Sequence, residues 1–132
     1  VVITSEFSRT AYPEDTSGTS HNQYNNSCIL FGSNIRGGTL IGESQIYKKS
    51  ENKAVDQDCL YHASPFDFQT QRALTRQEIS KTPLASIGVC NPTKCLDYIY
   101  PETIWRTIAA QYGVDNVSSL PSGPILKAIF KS

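Results

Sequence analysis

The four cysteines are the residues whose spacing most directly suggests chemistry. They are Cys28, Cys59, Cys90 and Cys95. An even number of cysteines in a short chain indicates disulfide bonds and an oxidising compartment, although four cysteines allow three pairings. The turn-prone run between Cys90 and Cys95 favours the pairing Cys90–Cys95 with Cys28–Cys59. A zinc site is the alternative, since close cysteine pairs with two to four intervening residues bind zinc.

Glu6, Arg9 and His21 form a second group of residues that could share a site. Glu6 directly follows an apolar run, and ligands of open α/β sheets gather beyond the carboxyl ends of strands. The polar run 7–20 is long enough to double back, so we expect the Glu6 and His21 side chains to converge. A nearby Arg9 could bind an anionic substrate or hold Glu6. In the structural alternative, Glu6 pairs with Arg9 on the surface and His21 is an ordinary loop residue.

Short apolar runs predict the elements that position these residues. Val1–Thr4 predicts a strand buried on both faces, and we expect its neighbours to lie outside this chain, as they would in part of a longer polypeptide. Two further strands are predicted at Cys28–Phe31 and Thr39–Ile41. Residues 43–98 predict an irregular, disulfide-pinned insertion with one helix near Thr75–Ser80. His62, within it, has no motif around it and is expected to be structural.

The clearest helix is predicted over Pro101–Tyr112. Pro101 suits its first position, and Gly113 is a natural left-handed stop. Apolar residues recur at three-to-four-residue spacing and predict the buried face. That face consists of Ile104, Trp105, Ile108, Ala109 and Tyr112. After it, the apolar residues of 125–130 are expected to pack on the sheet or on this helix.

The composition excludes several classes of function. Hydrophobic residues make up 39% and charged residues 18% of the chain, which is typical of a soluble globular protein. Twelve basic and twelve acidic residues cancel to a net charge of zero, and no basic cluster suits a phosphate backbone, which argues against nucleic acid. No apolar run approaches the roughly 20 residues that span a bilayer. Together with the cysteines, this predicts a secreted or periplasmic protein.

Four stretches, in order, resemble one bacterial family, domain of unknown function 1501. Residues 4–10, TSEFSRT, resemble its signature SEFGRT, and residues 18–21, GTSH, resemble its GxDH motif. Residues 35–42, IRGGTLIG, are similar to its glycine turn KGGxxxG. Residues 100–104 and 109–115 are similar to its closing sequence PEDLxATI…LGID. The resemblance covers residues 1–42 and 99–130.

That family in turn resembles the alkaline-phosphatase and sulfatase superfamily. The resemblance implies an α/β fold, with residues 1–132 as the C-terminal part of one larger domain whose mixed sheet is flanked by helices. It also implies that Glu6 and His21 are ligands of a divalent metal ion, zinc or similar. The implied activity is metal-dependent hydrolysis of phosphate or sulfate esters.

Departures from the superfamily pattern support a second hypothesis. Phe7 stands where the superfamily has a histidine, and Ser20 replaces the aspartate beside the family's histidine. The nucleophile and the first metal carboxylates are expected outside this chain. The alternative is therefore a non-catalytic structural or binding component of a cell-envelope or extracellular assembly. In either case, the expected partners are the remainder of its own polypeptide or other subunits.

Overall fold

The computed structural model describes residues 1–5, 8–9, 21–22, 25–47, 60–114 and 123–131, with backbone alone at 8–9, 21–22, 46–47 and 60–61. These residues form short strands and two α-helices, a mixed α/β composition as predicted. The strands are β1 (Val2–Thr4), β2 (Ser8–Arg9), β3 (His21–Asn22), β4 (Cys28–Leu30), β5 (Ser44–Tyr47), β6 (Leu60–Ala63), β7 (Phe66–Asp67), β8 (Arg72–Ala73), β9 (Val89–Cys90) and β10 (Cys95–Asp97). The helices are α1 (Arg76–Lys81) and α2 (Pro101–Gln111).

The amino-terminal strands form an antiparallel hairpin. Strand β1 pairs with β4, and further along the same two segments β2 pairs with β3. The nitrogen of Val1 donates to the Phe31 carbonyl at 2.6 Å, which extends the first pairing by one residue. We call these two strand pairs the ribbon.

The prediction that β1 finds its partners outside the chain is wrong, because β4 pairs with it in antiparallel register. The chain folds back after β1, so an antiparallel neighbour is supplied from within it. The two strands are also not buried on both faces. Leu30 packs against the core, whereas Ile3 and Ile29, which lie opposite each other, are both more than half exposed.

The predicted strand at Thr39–Ile41 is also absent, and the next strand begins at Ser44. Two glycines enclose this run with left-handed backbones, Gly38 at φ 69° and Gly42 at φ 81°. Such conformations interrupt extended pairing on both sides of the three residues. Ile41 still packs against the core, but Leu40 is almost fully exposed.

The segment predicted as an irregular insertion contains the largest sheet of the described residues. Its strand order is β8-β7-β10-β9, and every pairing is antiparallel. These strands have only two or three residues each. Alternation of apolar and polar residues needs four or more positions to be recognisable, so strands this short leave no periodic signal in the sequence.

The core lies against this sheet and α2. One cluster of buried side chains consists of Leu74, Ile79 and Leu96, and the other of Phe66, Phe68, Cys95, Leu126 and Ile129. The prediction that the apolar residues near the end of the chain pack inward is confirmed, because Leu126 and Ile129 are both buried. This carboxy-terminal segment also touches the rest of the chain through a bridge between Ile35 and Phe130.

Helix α1 begins with a capping box. Thr75 accepts a hydrogen bond from the Glu78 backbone N–H, and the Glu78 carboxylate accepts one from the Thr75 N–H at 2.8 Å. Arg72 adds an ion pair to the same carboxylate at 2.6 Å. The reciprocal bonds satisfy N–H groups that have no partner inside the helix. The helix predicted near Thr75–Ser80 is therefore confirmed.

Helix α2 has the predicted extent but turns only part of the predicted face to the core. It begins at Pro101, and Gly113 follows its end with φ 69°. The core-facing side carries Thr103 and Thr107 together with the predicted Ile104, whereas Trp105 is 58% and Tyr112 78% exposed, so the prediction of these two as buried residues is wrong. Hydrogen bonding explains the rotation, since the Thr107 hydroxyl accepts from the buried Leu126 N–H at 2.9 Å.

Candidate functional site

The backbone of the ribbon brings two of the predicted site residues opposite each other. In the β2–β3 pairing, Arg9 is in register with His21 and Ser8 with Asn22. Glu6 and the side chains of Arg9 and His21 lie outside the described residues. The convergence of Glu6 and His21 therefore stays a prediction, while the chain reversal that would allow it is present in the backbone.

Side chains at the base of this hairpin hold its two segments together. The Ser5 hydroxyl donates to Asn26 Oδ1 at 2.7 Å, and Asn26 Nδ2 donates back to the Ser5 carbonyl at 2.9 Å. Asn26 Oδ1 also accepts from the Ser27 N–H. The Thr4 hydroxyl contacts the Ser27 carbonyl across the same gap. These bonds bridge the break between the β1–β4 and β2–β3 pairs and so fix where the second pair starts.

Anion or metal binding at this pair stays a prediction, because Glu6 and the side chains of Arg9 and His21 lie outside the described residues. Residues directly opposite in an antiparallel pair have Cβ atoms roughly 5 Å apart, which is within reach of a shared small ligand. Glutamate oxygen and histidine nitrogen are donors that zinc accepts. Among the residues that the structure describes, no group of three or more histidine, cysteine, aspartate or glutamate residues could hold a metal.

Two of the cysteines are bonded to each other. Cys90 and Cys95 form the disulfide that their spacing favours, across the register of β9 and β10. This bond removes both sulfurs from any zinc site. Cys28 is a free thiol among the described residues, and burial raises the pKa of that thiol. Cys59 lies outside the described residues, so the Cys28–Cys59 bridge stays a prediction.

His62 is buried next to the four-stranded sheet. Its Nδ1 lies 2.9 Å from the Ala63 carbonyl oxygen, and its ring centroid is 5.4 Å from that of Tyr98. An imidazole packed in this way suits the structural role expected from its sequence context.

A shallow cavity of about 440 Å³ lies between β5 and the start of α1. Of the described residues, Glu43, Gln45, Thr75 and Arg76 line it. The hydroxyl of Thr75 is already engaged by the Glu78 carboxylate at 2.9 Å. The described lining includes none of the sequence-predicted site residues, and it is polar, whereas binding pockets are usually apolar with a few polar groups.

Comparison with known proteins bears on the amino-terminal part of the chain. Residues 1–63 match the sequence model of a family described as "Protein of unknown function (DUF1501)". The match supports the interpretation of this chain as a DUF1501 family member. The matched residues include Glu6, Arg9 and His21, whereas the similarity suggested for residues 99–130 lies outside the match and stays a prediction. No curated protein and no solved structure matches the chain.

None of the helices that the structure describes is long and apolar enough to cross a bilayer.

Proposed function

We propose that the chain is part of a secreted or periplasmic protein with an alkaline-phosphatase-like fold and a metal-dependent ester-hydrolase function. In this proposal, Glu6 and His21 hold a divalent cation such as zinc, and Arg9 binds the anionic group of a phosphate or sulfate ester. The single observation that carries it is the backbone register of Arg9 with His21. The DUF1501 match over the same residues supports it.

The donor set suits a divalent metal ion but is incomplete. A carboxylate and an imidazole are ordinary zinc ligands, and a catalytic zinc has three protein ligands. At least one further ligand would have to come from another segment. When bound, the metal would polarise a phosphoryl or sulfuryl oxygen. The residues of this chain would bind and orient the ester, since a guanidinium pairs with two oxygens of such a group at once.

Ser20 offers a direct way to test the metal site. It directly precedes His21 in the sequence and has a hydroxyl where the family pattern has an aspartate. A carboxylate is the better ligand for a hard divalent cation, so we expect Ser20→Asp to strengthen zinc binding. His21→Ala and Glu6→Gln should each weaken zinc binding about tenfold or more.

Isothermal titration of the full chain with zinc measures these effects. Glu102→Gln is the matched control for Glu6→Gln, because Glu102 is an exposed glutamate in the first turn of α2 and is not part of the ribbon. We expect that control to bind zinc like the unmodified chain. Equal zinc affinity in the unmodified chain, His21→Ala and Ser20→Asp would refute the metal site.

A second candidate function is a non-catalytic binding component of a cell-envelope or extracellular assembly. Two exposed apolar side chains that face each other across β1 and β4, Ile3 and Ile29, favour it, because exposed apolar patches mark interaction surfaces. Assays of the intact full-length protein with nitrophenyl phosphate and nitrophenyl sulfate, with zinc supplied, separate the two candidates. Turnover that is lost with His21→Ala supports the hydrolase, and absence of turnover with zinc supplied supports the binding component.

A further inference from the structure

The Cys90–Cys95 disulfide links the two strands of the β9–β10 hairpin, and its two cysteines lie in very different environments. Cys95 is 6% exposed and packs in the cluster with Phe66 and Leu126, whereas Cys90 is exposed at the edge strand of the four-stranded sheet. One end of the bond is therefore fixed in the core, and the other can meet a reactant from solvent.

Hydrogen bonds hold this hairpin independently of the disulfide. Asn91 Oδ1 accepts from the backbone N–H of Thr93 and of Lys94, at 3.0 and 2.8 Å. The Asn91 N–H donates to the Lys94 carbonyl at 2.8 Å, and on the far side of the strands the Gly88 N–H donates to the Leu96 carbonyl at 2.8 Å. The turn and both strands are thus connected by contacts that would survive cleavage of the sulfur–sulfur bond.

The reduced state is also compatible with the core. A free cysteine behaves as a small hydrophobic residue, so a Cys95 thiol can remain among its apolar neighbours without leaving a charged or strongly polar group buried. A Cys90 thiol would face solvent. Neither product forces the sheet to open.

The short loop limits how strongly the fold protects the bond. A disulfide stabilises a fold mainly by restricting the unfolded chain, and the effect is small when few residues are enclosed. Cys90 and Cys95 are five positions apart. The free energy by which the disulfide stabilises the folded state equals the free energy by which folding stabilises the disulfide. A disulfide that adds little to the free energy of unfolding is therefore little protected by the fold against reduction. Exposed disulfides are, moreover, the ones that undergo exchange.

We propose that Cys90–Cys95 is a reversible redox site that exchanges with dithiol reductants while the protein stays folded. A thiolate of the dithiol attacks the Cys90 sulfur, the bond to Cys95 breaks, and the Cys95 sulfur leaves and takes up a proton. The second thiol of the reductant then attacks the mixed disulfide and releases Cys90, which is protonated by water. Two electrons and two protons reach the cysteine pair, and the dithiol becomes a disulfide.

A redox titration of the full chain with dithiothreitol tests this proposal. Trypsin cleaves after Lys94, between the two cysteines, so after alkylation only the intact disulfide links the two resulting peptides. Mass spectrometry then measures the reduced fraction of this pair separately from Cys28 and Cys59. We expect the equilibrium constant for reduction in native buffer to lie within about fortyfold of its value in denaturant. The amides of Gly88 and Asn91 should stay protected from hydrogen exchange in the reduced protein.

The variant Asn91→Ala removes the hydrogen bonds that Asn91 Oδ1 accepts in the turn and keeps the backbone bond to the Lys94 carbonyl. It should keep the protected amide of Gly88 when oxidised and lose that protection when reduced, whereas the unmodified chain keeps it in both states. A difference of more than about fortyfold between the equilibrium constants for reduction in native buffer and in denaturant would overturn the proposal. Loss of amide protection on reduction of the unmodified chain would overturn it too, because the bond would then be a structural staple.

Discussion

Thr107 connects helix α2 to the carboxy-terminal segment through its hydroxyl. The side chain is fully buried, donates to the Thr103 carbonyl at 2.6 Å and accepts from the Leu126 N–H at 2.9 Å. The sequence pattern assigned the buried face to the larger apolar residues of the helix. The spacing of apolar residues in the helix carries no information about the buried Leu126 N–H, which needs a hydrogen-bond acceptor. Thr107 provides that acceptor, so the threonine side of the helix faces the core.

The variant Thr107→Val tests this contact. Valine keeps the shape but leaves the Leu126 N–H without its acceptor in the core, so we expect a loss of about 1–3 kcal/mol in the free energy of unfolding. Urea denaturation followed by circular dichroism measures it. Thr39→Val changes an exposed threonine and should be nearly neutral. Equal stability of the two variants would show that the Thr107 hydroxyl has no structural role.

The capping box of α1 shows how a short element depends on a few polar contacts. The helix has only six residues, and isolated helices of this length are not stable in water. Its start was predictable because Thr75 and Glu78 have the capping-box spacing. The ion pair with Arg72 was not, since that residue is brought in by β8, a strand too short to recognise from sequence.

The pH dependence of stability tests the capping box. The hydrogen bonds from Arg72 and then from Thr75 hold the pKa of Glu78 far below its usual value of 4.5. A carboxyl whose pKa is lowered by folding stabilises the folded state above its unfolded pKa, and the contribution is lost progressively as the pH falls from about 4.5 towards the lowered pKa. We therefore expect Glu78→Gln to flatten the decline of stability in this acid range. Denaturation midpoints from pH 7 down to 3 measure it, with Glu102→Gln as control. An unchanged decline in Glu78→Gln would contradict the account.

At the scale of the whole molecule, the described core and the family match occupy different parts of the chain. The buried apolar side chains of the described residues run from Phe66 to Ile129, whereas the match ends at residue 63. The sequence predicted the helices and the inward packing of the last apolar segment because each has a local signal. It did not predict the four-stranded sheet, whose strands show no periodicity, or the β1–β4 pairing, because an apolar run does not specify which strand lies beside it.

Two leucines of similar sequence context test where stability resides. Leu126 is buried in the core, and Leu40 is 92% exposed. We expect Leu126→Ala to lower the free energy of unfolding by about 2–5 kcal/mol, because it removes buried methyl groups and leaves a cavity. Leu40→Ala should be close to neutral. Thermal and urea denaturation of both variants measure the difference, and similar losses in the two would contradict the described core.

The candidate site could be predicted only in part. The motif residues identified Glu6, Arg9 and His21, and the polar run 7–20 predicted a reversal of the chain, which the β2–β3 pairing contains. The full set of metal ligands was not predictable, because at least one further ligand would come from another segment.

The central claim is that the ribbon binds a divalent metal ion through His21, and imidazole nitrogen resonances test it most directly. The chain has two histidines, His21 and His62, so His62 in the core is an internal control in the same sample. On titration with zinc, the account predicts a large shift of the His21 nitrogen signals, smaller shifts of the Arg9 and Asn22 amides, and unchanged His62 signals. Unchanged His21 signals at saturating zinc would contradict the claim.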